Sequence, residues 1–156
     1  MPDMLVKLYD LPPLEPFLAR PREAGVEIRK PIGPEKHVII DWVRTTFNPG
    51  WASEAEMALM NRPVSLFIAT SERKVHGFAC YDATVLGFFG PTGVAEEMRG
   101  KGIGSALLLA TLHDMKAKGY AYAVIGGAGP TQFYEKIVGA VEIPGSTPGI
   151  YRDYVR

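Results

Sequence analysis

The chain has one cysteine, Cys80, and three histidines far apart, His37, His76 and His113. One thiol forms no internal disulfide, and these spacings fit no zinc-ligand pattern, so no metal is expected. The thiol count fits a reducing compartment. Charge of one sign is also missing, since 17 basic side chains balance 17 acidic ones. Without a positive excess the chain lacks the attraction that drives nonspecific nucleic-acid binding, and no nucleic-acid partner is expected. No run approaches the roughly 18 apolar residues of a membrane span, so no membrane partner is expected. Residues 1–10 show no basic segment ahead of an apolar one, so they do not read as a secretory signal. The expected location is cytoplasmic. There is no internal repeat and no low-complexity segment.

What is present suits a globular protein. With 156 residues, 47% hydrophobic and 22% charged, the chain can bury a conventional core and reads as one domain over 1–156. Residues 1–24 are proline-rich but carry Leu5, Leu8, Tyr9, Leu11, Leu14, Phe17 and Leu18. That much apolar surface predicts a packed N-terminal arm rather than a flexible tail. Val26 to Lys30 alternates as a short strand. A helix is predicted from Pro34 to Phe47, halted by Asn48-Pro49-Gly50, and a second from Ala55 to Met60 with Ser53 and Glu56 as its capping box. Residues 63–70 and 75–81 read as a hairpin. Residues 86–94 read as a strand bulged or only partly paired, because Gly87, Gly90, Pro91 and Gly93 interrupt it. Gly102 to Lys118 is the longest predicted helix, apolar over most of its girth, with Gly119 just past its end. A strand at 120–125, a short helix from Pro130 to Val138, and strands at 141–143 and 150–155 complete the reading.

The most informative stretch is Val94-Ala95-Glu96-Glu97-Met98-Arg99-Gly100-Lys101-Gly102-Ile103-Gly104-Ser105. A strand ends, a turn dense in glycine and positive charge follows, and the long helix begins. The first amides of a helix have no internal partner and sit at the positive end of its dipole, where an anion is favoured. Glycines let phosphate oxygens reach that backbone, while Arg99 and Lys101 add attraction. A P-loop would need Gly-Lys followed by Ser or Thr after four spacer residues and a first glycine, but Gly102 follows Lys101 and position 95 is Ala. The dinucleotide fingerprint fails as well, because its third glycine falls on Ser105 or Leu107. The pattern that fits is Arg-x-x-Gly-x-Gly at Arg99, Gly102 and Gly104.

That pattern resembles the acetyl-CoA pyrophosphate loop of the GNAT superfamily of N-acetyltransferases. Phe133-Tyr134-Glu135-Lys136, followed by Val138-Gly139-Ala140, is similar to the late helix of the same family. The likeness covers roughly residues 26–155 and is strongest over 86–140. It implies an α/β fold with a mixed, mostly antiparallel central sheet, helices on both faces, and splayed fourth and fifth strands that admit the pantetheine arm. It implies acetyl-CoA as co-substrate. Backbone groups of Thr92 and Val94 would pair with pantetheine. The amides of Arg99, Gly100, Lys101, Gly102, Ile103, Gly104 and Ser105 would hold the pyrophosphate. Phe133 and Gly127 would adjoin the cofactor, and Tyr134 would protonate the leaving thiolate. Three positions depart from the family pattern. Gly127 stands where an asparagine is frequent, Phe88 falls where a catalytic glutamate is frequent, and Ala140 replaces an aromatic residue.

An ammonium is not a nucleophile, so the acceptor must lose a proton before or during attack. Asp82, Glu54, Glu96 and Glu97 are the carboxylates to consider, each read first as a solvated surface charge; a water chain is the other route. A backbone amide near Val94 would stabilise the developing oxyanion. Cys80 reads as a buried structural thiol, and Trp42 and Trp51 as packing residues rather than an acceptor pocket. His113 and Asp114 are adjacent on a helix and cannot form a dyad. The expected acceptor is the primary amine of a small molecule such as an amino sugar. A protein N-terminus or lysine is the second acceptor class, and a non-catalytic acyl-CoA-binding module the competing function. Relatives of this fold often dimerise, and an aromatic C-terminal strand would offer an edge for a homodimer.

Overall fold

A computed structural model describes residues 1–156. The elements follow in the order β1 (Met4–Lys7), α1 (Glu15–Glu23), β2 (Glu27–Arg29), α2 (Lys36–Thr46), α3 (Pro49–Met60), β3 (Leu66–Ser71), β4 (Lys74–Tyr81), β5 (Phe88–Val94), α4 (Ile103–Lys118), β6 (Tyr122–Ile125), α5 (Thr131–Val138) and β7 (Val141–Glu142). All seven strands share one sheet in the order β2-β3-β4-β5-β6-β1-β7. Every pairing is antiparallel except β5 with β6.

The parallel pair is brief. Phe88 lies opposite Val124 and Phe89 opposite Ile125, and there the pairing stops. Beyond it β5 continues to Val94, held only by β4 on its other side. β6 ends at Ile125 while β5 runs on, so from Gly90 onward that edge of β5 has no neighbouring strand, and this gap stands where the splay is expected. Within β5 the register against β4 slips, because Ala79 faces Thr92 while Tyr81 faces Phe89. The extra residue is a bulge at Gly90-Pro91, as the glycine and proline predicted.

Helices cover both faces. On one, α4 buries nine residues, of which Ile103, Leu107, Leu108, Leu109, Leu112 and Met115 join a cluster of 20 that also contains Phe89 and Tyr134. On the other, α2 and α3 close over Leu66, Ile68, Phe78 and Cys80. Full burial of one such large apolar side chain is worth about 1.5–3 kcal/mol, so both layers are firmly attached to the sheet.

Three expectations need correction. The N-terminal residues do more than pack as an arm. Met4–Lys7 enters the sheet between β6 and β7, and Glu15–Glu23 forms a helix against α4. The second helix does not wait for Ser53. The Asn48 side chain accepts from the Trp51 amide at 2.8 Å, and Pro49 takes the first helical position, where its missing N–H costs nothing. Asn-Pro-Gly thus ends one helix and caps the next. The strand predicted at 150–155 is absent. Gly149–Tyr151 is a single 3-10 turn, and the slot beside β6 belongs to β1. The C-terminal segment offers no strand edge.

Candidate active site

The glycine-rich turn after β5 lies at the mouth of the splay. Arg99 donates its amide back to the Glu96 carbonyl at 3.3 Å. From Gly100 to Ser105 no backbone amide donates to any group of the protein, and helical bonding resumes with Ala106 to Gly102 at 3.1 Å. Six successive N–H groups at the positive end of a 16-residue helix are thus free. Such a run of oriented amides is an anion cradle. Gly102 precedes the helix at φ +77°, a left-handed conformation that a side chain resists. A Cβ at Gly102 would also stand 2.8 Å from Cδ of Arg20.

Beside this turn is a cleft of about 460 Å³. Of the residues expected at a cofactor site, it brings together Val94, Arg99, Gly100, Gly102, Ile103, Gly104, Ser105, Phe133 and Tyr134. Thr92, Lys101 and Gly127 do not line it. Thr92 lies opposite Ala79 of β4 on the stretch of β5 whose other edge is bare, and its hydroxyl donates to the Phe78 carbonyl at 3.0 Å. The Gly127 amide donates to Asp3 at 2.9 Å, so its hydrogen bond is spent within the protein.

Tyr134 is the buried polar residue of the cleft. Its ring meets Phe89 edge-on with centroids 6.4 Å apart and Phe133 at 5.1 Å. Its hydroxyl makes no hydrogen bond within the protein, and burial pushes its pKa up to about 12. The phenol therefore keeps its proton across the physiological range and has it available to donate.

The carboxylates separate clearly. Glu96 and Glu97 are exposed, as expected. Asp82 is not a surface charge. Its side chain is 1% exposed and accepts from Lys118 at 2.8 Å, Tyr120 at 2.9 Å and the Gly87 amide at 2.8 Å. It ties the β4–β5 connection to the end of α4 and does not line the cleft. Glu54 is half-buried and accepts from the Thr84 hydroxyl. Cys80 is fully buried, and burial pushes its thiol pKa up, which leaves it unreactive. Trp42 and Trp51 pack with Phe47 and Phe78 in one aromatic group. His113 bonds the Pro12 carbonyl at 2.8 Å rather than Asp114.

Sequence reasoning missed Arg20, Met98 and Pro130, all of which line the cleft. Pro130 and Met98 adjoin recognised motifs. Arg20 has no local signal, since its Nη2 reaches the Gly100 carbonyl at 3.0 Å across 80 positions of sequence.

A sequence profile of the acetyltransferase (GNAT) family matches residues 36–140. Solved structures of similar fold include a GCN5-related glucosamine N-acetyltransferase region of a fungal multi-domain GH3 beta-N-acetylglucosaminidase, with TM-score 0.75, 17% identity and 91% of this chain covered. A GCN5-related N-acetyltransferase from Sphaerobacter thermophilus gives 0.68, 19% and 91%. A GNAT family acetyltransferase from Brucella melitensis, in complex with acetyl-CoA, gives 0.56 and 20% over 71% of this chain and 80% of its own. The chain spans about a fifth of the first of these proteins and about half of the second. At these identities the likeness is one of fold. No curated protein matches the sequence.

Proposed function

From a chain that belongs to the acetyltransferase (GNAT) family, we propose an enzyme that moves an acetyl group from acetyl-CoA to the primary amine of a small molecule, an amino sugar or a compound like it. The observation that carries the reading is the row of free amides from Gly100 to Ser105 opening on a cleft that contains Tyr134. A diphosphate satisfies those donors, and the pantetheine arm runs along the β5 edge left bare by the splay. The residues present fit such a molecule. The glycines leave the backbone approachable, and the bare strand edge pairs with amide groups as an added strand would.

The acceptor attacks the thioester carbon while an amide near Val94 receives the developing oxyanion. Tyr134 then gives its proton to the departing sulfur. Its pKa of about 12 makes it a weak acid, but the water-poor cleft that raises the phenol also raises the basicity of a thiolate formed beside it. No carboxylate lines the cleft: Asp82 is held by Lys118 and Tyr120, Glu54 accepts from Thr84, and Glu96 and Glu97 are exposed, so the amine proton leaves through water.

Support for an amino sugar comes from the fungal region of similar fold, which is named for glucosamine N-acetylation. The balanced charge of this chain speaks against a strongly basic protein tail, which would meet an acidic groove. The test is release of free thiol from acetyl-CoA with glucosamine and a panel of primary amines, products identified by mass. Turnover on a sugar amine is expected. Tight cofactor binding with no turnover on any amine would replace the enzyme with an acyl-CoA-binding module, and turnover only on peptides would move the acceptor to protein.

A further inference from the structure

The glycine turn is flanked by two hollows. One is the cleft with Tyr134. The other, about 230 Å³, lies between the N-terminal helix α1 and the start of α4, lined by Pro16, Phe17, Arg20, Gly102 and Ser105. Arg20, Gly102 and Ser105 border both. The smaller hollow is below the roughly 300–1,000 Å³ of a complete ligand pocket, so it suits one end of a molecule whose remainder lies in the cleft.

The order of groups along coenzyme A supplies the assignment. Tyr134 marks the acyl end and the free amides take the diphosphate. What continues past the turn, on the side of α1, is the ribose with its 3′-phosphate and the adenine. There the structure presents a guanidinium and an apolar wall. Arg20 forms no ion pair with any carboxylate of the protein. It donates from Nη2 to the Gly100 carbonyl at 3.0 Å, and its stem lies over Gly102. One hydrogen bond leaves most of the five guanidinium donors for an incoming phosphate. Residues 1–35 lie outside the family match, so this contact belongs to the N-terminal segment of this chain.

We propose that Arg20 binds the 3′-phosphate of coenzyme A, and that the hollow formed with Pro16 and Phe17 receives its adenosine. The inference rests on the coenzyme A reading of the turn. It makes α1 part of the cofactor site, and it makes the protein selective for the 3′-phosphorylated cofactor.

The experiment is calorimetric titration of the full chain and of R20Q and R20K with coenzyme A and with dephospho-coenzyme A, which lacks only the 3′-phosphate. A charge-assisted hydrogen bond to a phosphate corresponds to roughly a tenfold to hundredfold preference. The parent should bind coenzyme A tighter than dephospho-coenzyme A by about that factor. R20Q should lose it on the coenzyme A side alone, so that the two ligands bind alike, and R20K should keep part of it. Arg20 is exposed, so the variant should melt with the parent. Equal weakening of both ligands in R20Q would overturn the proposal and make Arg20 a brace for the turn. An unchanged ratio, or a parent that does not discriminate, would overturn it as well. In those cases the parent still binds coenzyme A and the function stands. A parent that binds neither ligand would instead remove the coenzyme A reading, and this inference with it.

Discussion

Two glycine-rich turns lie side by side, each leading from the end of one member of the parallel strand pair into a helix. After β5 the chain runs Arg99-Gly100-Lys101-Gly102-Ile103-Gly104, and after β6 it runs Gly126-Gly127-Ala128-Gly129. By composition the second is the richer in glycine. The first keeps the amides of Gly100 through Ser105 free and borders two hollows. The second is filled by its own protein. Gly127 donates to Asp3 at 2.9 Å and Ala128 to the Pro2 carbonyl at 2.8 Å. A Cβ at Gly126 would stand 2.6 Å from the Tyr151 hydroxyl and 2.9 Å from the Phe88 ring. Glycine content therefore does not by itself leave backbone donors free; in the second turn the folded chain takes them up, and in the first it does not. In the second turn glycine serves close packing, and the turn fixes the start of α5, the helix that carries Tyr134.

The strongest test of the contrast is Gly102→Val. A branched side chain at φ +77° is strained, and its Cβ meets Arg20. Loss of two or more charge-assisted hydrogen bonds should weaken acetyl-CoA binding a hundredfold or more. Calorimetry on protein shown to be folded would measure it, and an unchanged dissociation constant would remove the diphosphate from this turn.

Tyr134→Phe asks whether the filled turn positions chemistry. The ring stays and only the hydroxyl goes. If the phenol is the proton donor, kcat falls by about 10²-fold, within the usual range for a positioned acid, while acetyl-CoA affinity holds. With the folded pKa raised to about 12, the phenol stays protonated below that value and contributes no alkaline decline to the parent profile up to about pH 10. A variant within twofold of the parent at every pH would leave Tyr134 as packing.

Gly126→Ala should act on stability. Forcing a methyl against Tyr151 and Phe88 costs on the order of 1–3 kcal/mol, a drop of several degrees in Tm for a domain of this size, with cofactor affinity nearly unchanged in the folded fraction. A large loss of affinity at full stability would show that the second turn also touches ligand.

Arg99→Ala should do least, because the Arg99 amide is already spent on the Glu96 carbonyl and the side chain acts from solvent. A severalfold loss of affinity is expected, shrinking as salt is raised from low to physiological strength. A hundredfold, salt-independent loss would make Arg99 a direct ligand.

The anion cradle could be read from residues alone because its parts are local. Strand end, turn and helix start are consecutive, and the amides of a helix N-terminus are free wherever a helix begins. The bulge at Gly90-Pro91 and the capping of α3 by Asn48 are equally local, although Asn48-Pro49-Gly50 can close one helix or open another and the residues alone do not say that they do both. Phe133 and Tyr134 stand in one local motif and both line the cleft, their distance from the turn absorbed by one helix and one strand.

Other features depended on partners far along the chain. Alternation at 150–155 predicts a strand, but Met4–Lys7 already fills the slot between β6 and β7, and Gly149–Tyr151 turns as a 3-10 helix instead. Asp82 looked like one acid among many until Lys118 and Tyr120 closed over it. Arg20 carried no signal, because only the packing of α1 on α4 brings it over Gly100. The sequence by itself determined where backbone donors would be left free, since that follows from the hydrogen-bond pattern of each element. Tertiary structure decided which of them stay free, because satisfying a buried or half-buried donor takes a group that only the folded chain can bring there.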